Sequence, residues 1–209
     1  LEPRIITEEF AGRLAAIPQL CPHFHLSLQS GCNETLKRMN RHYTAEEYYE
    51  KVQILRKYFE HPAITTDVIV GFPGETAEEF AVTKTFLEKV HFFEMHIFKY
   101  SRRKGTVADK LPGQLTDAQK TERSGQLLAL EKEQSREFRA HYLGQEVEVL
   151  IEEQKEIGGK VYWLGYTDTY VKAAFAADSA ECMDYSNRLV HGRAVSFLSD
   201  EVLEIALNF

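Results

Sequence analysis

Several features that would narrow the function are missing from this 209-residue sequence. Its three cysteines, Cys21, Cys32 and Cys182, are too few and too scattered for a disulfide framework, so we expect reduced thiols in a reducing compartment. No apolar run approaches the roughly 20 residues of a membrane span, and no signal peptide opens the chain. We therefore expect a cytoplasmic protein with no membrane partner. The chain also starts without an initiator methionine, which favours a piece of a longer protein.

An excess of basic charge is missing as well. Residues 1–140 contain 20 Lys and Arg and 20 Asp and Glu, whereas residues 141–209 contain 5 and 12. Non-specific binding to nucleic acid depends on basic surface that neutralises phosphates. The bulk charge therefore gives no support for an RNA partner, and such a partner has to be argued from local basic clusters.

The first 140 residues alternate between strand and helix patterns. Strands are predicted at 23–28, 64–72 and 92–100, and each ends in small, polar or glycine residues. Capping boxes predict three helix starts, formed by Thr44 with Glu47, Thr76 with Glu79, and Thr116 with Gln119. Because the carboxyl ends of parallel strands meet on one face, the three polar endings predict one wall of a single ligand site.

The strand pattern predicts an α/β fold followed by a separate β domain. Residues 64–70 lack strict alternation, which is typical of a parallel strand, and only about three strands are visible where a closed barrel takes roughly 250 residues. Residues 1–141 are therefore predicted to be part of a parallel barrel. From residue 142 onward, short strands separated by turns predict a small antiparallel β-barrel over 142–209.

Three motifs in this order resemble a known family. They read HLSLQSGCNETLKRMNRHYT, TTDVIVGFPGET and FKYSRRKGTVA, and the predicted β-barrel follows them. Together they are similar to the radical S-adenosylmethionine (SAM) methylthiotransferases, and the third is most similar to the MtaB group. No single motif is specific for this family, but the occurrence of all three in this order, over nearly the whole chain, is specific for it.

The resemblance implies a radical SAM (TIM-like) barrel with a TRAM-like RNA-binding domain. It implies an enzyme that methylthiolates C2 of N6-threonylcarbamoyladenosine next to the anticodon, with SAM, two [4Fe–4S] clusters and the tRNA anticodon stem-loop as its cofactors and partner. The family's Cys-x3-Cys-x2-Cys triad is absent here, so no cluster ligand, metal ligand or catalytic residue is assigned to this chain. We therefore expect the C-terminal part of such an enzyme, inactive alone.

The resemblance places a SAM-binding wall on the three strand ends. The predicted cofactor-binding residues are Gln29, Ser30, Gly31, Asp67, Gly71, Phe72, Tyr100 and Arg103. Each has an ordinary alternative: Ser30 as a strand-to-helix cap, Asp67 as the partner of a structural arginine, and the Gly71 loop as a simple connector. His23 and His25 share a strand face and are interpreted as structural rather than metal-binding.

The predicted RNA contacts are local clusters of cations, with a solvated charge run as the alternative. They are Arg38, Arg41, Arg102, Lys104, Lys160 and Lys172. Aromatic residues of the second domain are candidates for base stacking, and we expect about half of them to fill the barrel instead: Tyr162, Trp163, Tyr166, Tyr170 and Phe175.

Two other functions fit the same residues. One is a methylthiotransferase that acts on a ribosomal-protein aspartate. The other is a non-catalytic RNA-binding module, which would explain the missing cysteine triad equally well.

Overall fold

The computed structural model describes residues 1–177 and 183–207, so Cys182 lies outside the described residues. The chain forms two compact units. The first unit comprises residues 1–20 and 24–135, and the second unit comprises residues 21–23 and 136–209. Among the described helices, none has the length and apolar character needed to cross a membrane.

The first unit contains a three-stranded sheet in the order β1-β2-β3. The strands are β1 (His23–His25), β2 (Ala63–Val70) and β3 (Glu94–Lys99), and β2 pairs with β3 in parallel. The helices are α1 (Glu8–Ala15), α2 (Asn33–Arg38), α3 (Ala45–Tyr58), α4 (Ala77–Val90) and α5 (Asp117–Ala140), the last of which runs across the unit boundary. Short 3-10 helices lie at Pro3–Ile5 and Ala108–Lys110.

The predicted helix starts are confirmed. Both capping boxes, of Thr44 with Glu47 and of Thr76 with Glu79, form in each direction. At the start of α5, the Gln119 backbone N–H donates to Thr116 Oγ1 at 3.3 Å and the Gln119 side chain accepts from the Thr116 N–H at 3.0 Å. These bonds satisfy backbone donors that have no partner within the helix, which fixes where each helix begins.

The second unit contains a closed barrel in the order β4-β5-β6-β8-β7. Its strands are β4 (Glu146–Ile157), β5 (Lys160–Tyr166), β6 (Lys172–Ala176), β7 (Leu189–Ser199) and β8 (Val202–Leu207). The recorded pairs are antiparallel except for β6 with β8, which is parallel. The α/β class and the small β-barrel are thus confirmed, with one parallel pair that the turn spacing did not predict.

Candidate cofactor site

The parallel sheet has one packed face and one open face. Leu26, Leu28, Val68 and Val70 are buried in the hydrophobic core that the helices complete. Side chains alternate between the two faces of a strand, so the residues between these lie on the other side. There the half-buried or exposed side chains, which we call the open face, are His25, Ser27, Asp67, Ile69, His96 and Phe98. A ligand of this sheet therefore has to bind on the open face.

A cavity of about 570 Å³ lies at the carboxyl ends of β2 and β3. It is lined by Ile69, Phe98, Lys99, Tyr100, Ser101, Arg103, Thr106 and Ala108. Its volume lies within the range of ligand pockets, and its walls combine apolar surface with a few polar groups, as such pockets do. The ends of two strands thus line one cavity, whereas the polar endings predicted a wall formed by all three strand ends.

Tyr100, which lines this cavity, has an unsatisfied polar atom. Its hydroxyl is buried and has no hydrogen-bond partner among the described residues. Its ring packs edge-on against Phe72, with 5.2 Å between centroids, and its backbone N–H donates to Val70 O at 2.9 Å. A buried hydroxyl without a partner costs about 1–3 kcal/mol, so this is the group that a bound ligand would stabilise.

The Gly71 loop is held rigidly behind the cavity. Gly71 has a φ of 73°, and a Cβ there would lie 2.4 Å from Lys120 Cγ. The buried Glu75 carboxylate accepts a hydrogen bond from the Gly71 N–H at 3.0 Å and forms an ion pair with Arg123. Burial raises the pKa of Glu75 in spite of these bonds. Gly71 and the buried Phe72 therefore belong to the scaffold that positions Tyr100.

The residues at the end of the first predicted strand do not line this cavity. The Ser30 hydroxyl is fully buried, lies 3.1 Å from Thr83 Oγ1 and accepts from the Cys32 N–H at 3.2 Å. A Cβ on Gly31 would lie 2.7 Å from Phe86 Cβ, so Gly31 allows close packing of α4. Gln29 has a φ of 73° and bridges to β2 through its backbone. The N-cap of α2 is Cys32, without a side-chain cap hydrogen bond, so Ser30 binds the turn before the helix rather than capping it. Gln29, Ser30 and Gly31 are not among the residues that line the cavity.

Asp67 lies in a polar cluster on the open face. Its Oδ2 is 3.2 Å from His25 Nε2 and accepts from Ser27 Oγ at 3.4 Å. His25 Nδ1 is 3.0 Å from Thr65 Oγ1. Asp67 therefore has a histidine, rather than an arginine, as its ionisable partner.

The six predicted RNA contacts differ in their availability. Arg38 forms an ion pair with Glu79, which raises the arginine pKa and lowers that of the carboxyl, and Arg102 binds Asp109 at 3.0 Å. Lys172 lies 3.7 Å from Glu201. The other three, Arg41, Lys104 and Lys160, are exposed. Arg41 lines a smaller cavity of about 290 Å³ with Lys37 and His42.

The second-unit aromatics divide between core and surface, as expected. Tyr162, Trp163 and Phe175 are each 7% exposed. Tyr162 belongs to a buried cluster with Leu164, whereas Trp163 and Phe175 lie on the other face of the sheet and pack against Tyr185. Tyr170 is 54% exposed, and its ring lies 6.2 Å from that of the half-buried Tyr166. Of the five candidates for base stacking, these two tyrosines are the ones that keep ring surface exposed.

The chain's own residues do not fit an iron–sulfur cluster. The described thiols are an exposed Cys21 and a buried Cys32, both free. A [4Fe–4S] cluster of this kind needs several thiolates converging on the irons. Among residues 1–177 and 183–207 there is no such set, in agreement with the missing cysteine triad.

Two residues that shape this region were not predicted from the sequence. Arg123 lies in the middle of α5 without any motif around it, and only the fold brings it to Glu75, 48 positions earlier. His96 lies inside the strand predicted at 92–100, and no role was predicted for it. Its register partner is Asp67, so the alternation of β3 together with the β2–β3 register is the signal that could have found it.

The chain is similar to known radical SAM proteins. Residues 2–87 match the family described as the Radical SAM superfamily. The chain is 39% identical over 176 residues to the threonylcarbamoyladenosine tRNA methylthiotransferase MtaB of Bacillus subtilis, covering 84% of this chain and 39% of that protein. It is 43% identical over 176 residues to the tRNA-2-methylthio-N(6)-dimethylallyladenosine synthase of Aquifex aeolicus, with the same two coverages. The chain is a relative of the radical SAM methylthiotransferases.

A solved structure supports the fold. Coproporphyrinogen III oxidase (HemN) from Escherichia coli, described as a radical SAM enzyme, matches with a TM-score of 0.54 at 19% identity, over 64% of this chain and 31% of that one. This likeness shows the fold alone, and it is the two tRNA-modifying relatives that confirm the resemblance predicted from the three motifs. The Radical SAM superfamily implies SAM and an iron–sulfur cluster; that there are two clusters stays a prediction.

Proposed function

We propose that this chain is part of a radical SAM enzyme that methylthiolates a tRNA adenine, N6-threonylcarbamoyladenosine next to the anticodon. The chain spans about two fifths of the length of the MtaB and Aquifex relatives, so the activity belongs to the protein that contains it. The observation that carries the proposal is the cavity at the ends of β2 and β3. The motif Tyr-Ser-x-Arg-x-Gly-Thr supplies four of the residues that line it: Tyr100, Ser101, Arg103 and Thr106. The cavity also lies at the strand ends, where α/β folds bind ligands.

The residues of this cavity fit SAM. Phe98 and Ile69 offer apolar surface for an adenine ring, the Tyr100 hydroxyl is available for a hydrogen bond, and Arg103 brings a cation for a carboxylate. When bound, SAM supplies the radical chemistry and the methyl group. The chain's contribution is to orient SAM, to exclude water around its adenosyl group and to neutralise its carboxylate.

The second unit is proposed as a TRAM-like RNA-binding domain over about 142–209. Exposed Lys160, together with Tyr166 and Tyr170, would contact the anticodon stem-loop by charge and stacking. Arg41 and Lys104 would add phosphate contacts from the first unit. The cytoplasm is the compartment proposed for this reaction.

Deletion of the gene that encodes the chain tests the substrate. We expect the 2-methylthio form of N6-threonylcarbamoyladenosine to disappear from digested tRNA, with the unmethylthiolated nucleoside accumulating in its place, as measured by liquid chromatography and mass spectrometry. A gene copy carrying Arg103→Ala should restore less of the product than the wild-type copy. An unchanged nucleoside profile in the deletion strain would reject the proposal.

A second substrate is supported by one observation. Dimethylallyladenosine synthases match this chain at 43% identity, and the B. subtilis MtaB at 39%, so similarity does not decide between the two adenines. Loss of the methylthio group from dimethylallyladenosine in the same deletion strain would show that this second substrate is the correct one.

Replacing Tyr100 with phenylalanine should have opposite effects on binding and stability. Without ligand, removing an unsatisfied buried hydroxyl is expected to leave the free energy of unfolding unchanged or slightly higher. SAM binding by the protein that contains this chain should weaken about fivefold to tenfold, since one hydrogen bond contributes about 1 kcal/mol. Equilibrium dialysis and thermal unfolding measure the two effects.

Tyr43→Phe is the matched control for this change. Its buried hydroxyl donates to Leu28 O at 2.9 Å, so its loss should lower stability by about 1 kcal/mol and leave SAM binding unaffected. Equal loss of stability in both variants would show that the Tyr100 hydroxyl is satisfied in the free protein.

A further inference from the structure

The open face carries three potential metal ligands from three adjacent strands. His25 belongs to β1, Asp67 to β2 and His96 to β3. One ligand atom of each residue lies within 4.8 Å of those of the other two. Asp67 and His96 are register partners, so the pairing of β2 with β3 holds them side by side. Because three strands fix the three side chains, the arrangement does not depend on a mobile loop.

We propose that His25, Asp67 and His96 bind a divalent transition-metal ion such as Zn²⁺ or Co²⁺. Two imidazole nitrogens and one carboxylate oxygen are the donor set that such ions prefer. The proposal goes beyond methylthiolation, because it assigns a mononuclear site with no cysteine ligand to the chain's own residues.

The distances within the cluster suit a small ion. His25 Nε2 and Asp67 Oδ2 are 3.2 Å apart. Two ligands at bond lengths of about 2.1 Å in a tetrahedral site are about 3.4 Å apart, so this pair is already near its bound separation. His96 is exposed and can turn by a side-chain rotation to close the third position.

Neighbouring side chains orient two of the ligands. His25 Nδ1 is 3.0 Å from the Thr65 hydroxyl, which turns Nε2 toward Asp67. The Ser27 hydroxyl donates to Asp67 Oδ2 at 3.4 Å. Hydrogen bonds to the outer atoms of histidine and carboxylate ligands are what metal sites use to fix ring orientation.

The site would leave a coordination position open. Three protein ligands leave at least one place for water or substrate around a tetrahedral ion. Ile69 and Phe98 each follow a ligand by two positions, so they lie on the same face and lead from the ion to the 570 Å³ cavity. An open position on this face would therefore be accessible to a molecule bound in the cavity.

Co²⁺ titration of the 209-residue chain tests the proposal, with Cys21 and Cys182 replaced by serine to remove thiol ligands. We expect one ion per chain, followed by its visible absorption, and a rise in the melting temperature of the metal-loaded protein. His96→Ala and Asp67→Asn should each weaken binding at least tenfold and abolish the rise.

His191→Ala is the matched control. His191 is an exposed histidine whose Nε2 lies 3.4 Å from a glutamate, Glu148, so the variant removes a similar pair elsewhere. Binding in this control should equal that of the parent. The proposal is overturned if the parent binds no stoichiometric Co²⁺, or if all three variants bind it equally. Circular dichroism confirms that His96→Ala, a surface change, remains folded. Since the readout is metal alone, its failure leaves the tRNA proposal unaffected.

Discussion

Glu75→Gln is expected to destabilise the first unit by about 3–5 kcal/mol, because it leaves the buried guanidinium of Arg123 without a counter-charge. The side chains are 1% and 10% exposed. Arg123 Nη1 also donates to Glu75 O at 3.1 Å, so the arginine binds both the side chain and the backbone of the loop. Urea unfolding followed by far-ultraviolet circular dichroism, which reports mainly on the helices, measures the loss.

Glu8→Gln is the comparison that isolates burial. Lys57 Nζ lies 2.8 Å from Glu8 Oε2, but both side chains are more than half exposed. Exposed pairs of this kind contribute little to stability, because water and salt screen the two charges. Similar losses from Glu8→Gln and Glu75→Gln would show that the Glu75 pair is effectively solvated.

The companion variant Arg123→Met should show a dependence on pH. Burial already raises the pKa of Glu75, and removal of its cation would raise it further. A raised pKa in the folded state means that the protonated carboxyl is tolerated at low pH, while stability is lost as the pH rises through that pKa. Arg123→Met should therefore lose more stability between pH 5 and pH 8 than Glu75→Gln, which has no carboxyl to titrate at this position.

The sequence predicted the elements whose determinants are local. The capping boxes at Thr44 and Thr76 satisfy donors within three residues, so they mark helix starts without knowledge of the fold. Strand β4 runs to Ile157, although its alternation of exposed and buried residues ends near Ile151, because pairing with β5 extends the strand. Such pairing is a property of the partner strand, which no local pattern records.

The site was predictable only in outline. Polar strand endings indicated an edge of the sheet at which a cavity lies, and Tyr100 and Arg103 line that cavity. The motif around Ser30 could not predict where its side chain points, because the hydroxyl binds Thr83 on α4, which lies 53 positions later in the chain. The ion pair of Glu75 with Arg123 also joins distant segments of the chain. Contacts of this range depend on helix packing, which a single sequence does not specify.

Gly165→Ala is expected to destabilise the β-barrel by about 3 kcal/mol. A Cβ at this position would lie 2.0 Å from Leu150 O and 2.7 Å from Ile151 Cα, closer than any real contact. Both atoms belong to the backbone of β4, beside the irregularity between Ile151 and Glu153, so neither can rotate away. A glycine inside a strand commonly marks such a close approach of two backbones.

Gly125→Ala should change stability in the opposite direction. Gly125 lies inside α5, and a Cβ there would meet nothing within 4 Å. Alanine is favoured over glycine in a helix interior by about 1 kcal/mol, so the same substitution should stabilise the helix. Trp163, the single tryptophan and 7% exposed in β5, reports barrel unfolding by fluorescence. A fluorescence midpoint for Gly165→Ala equal to that of the wild type would mean that the two strands can separate at no cost, contrary to the close pairing that closes this barrel.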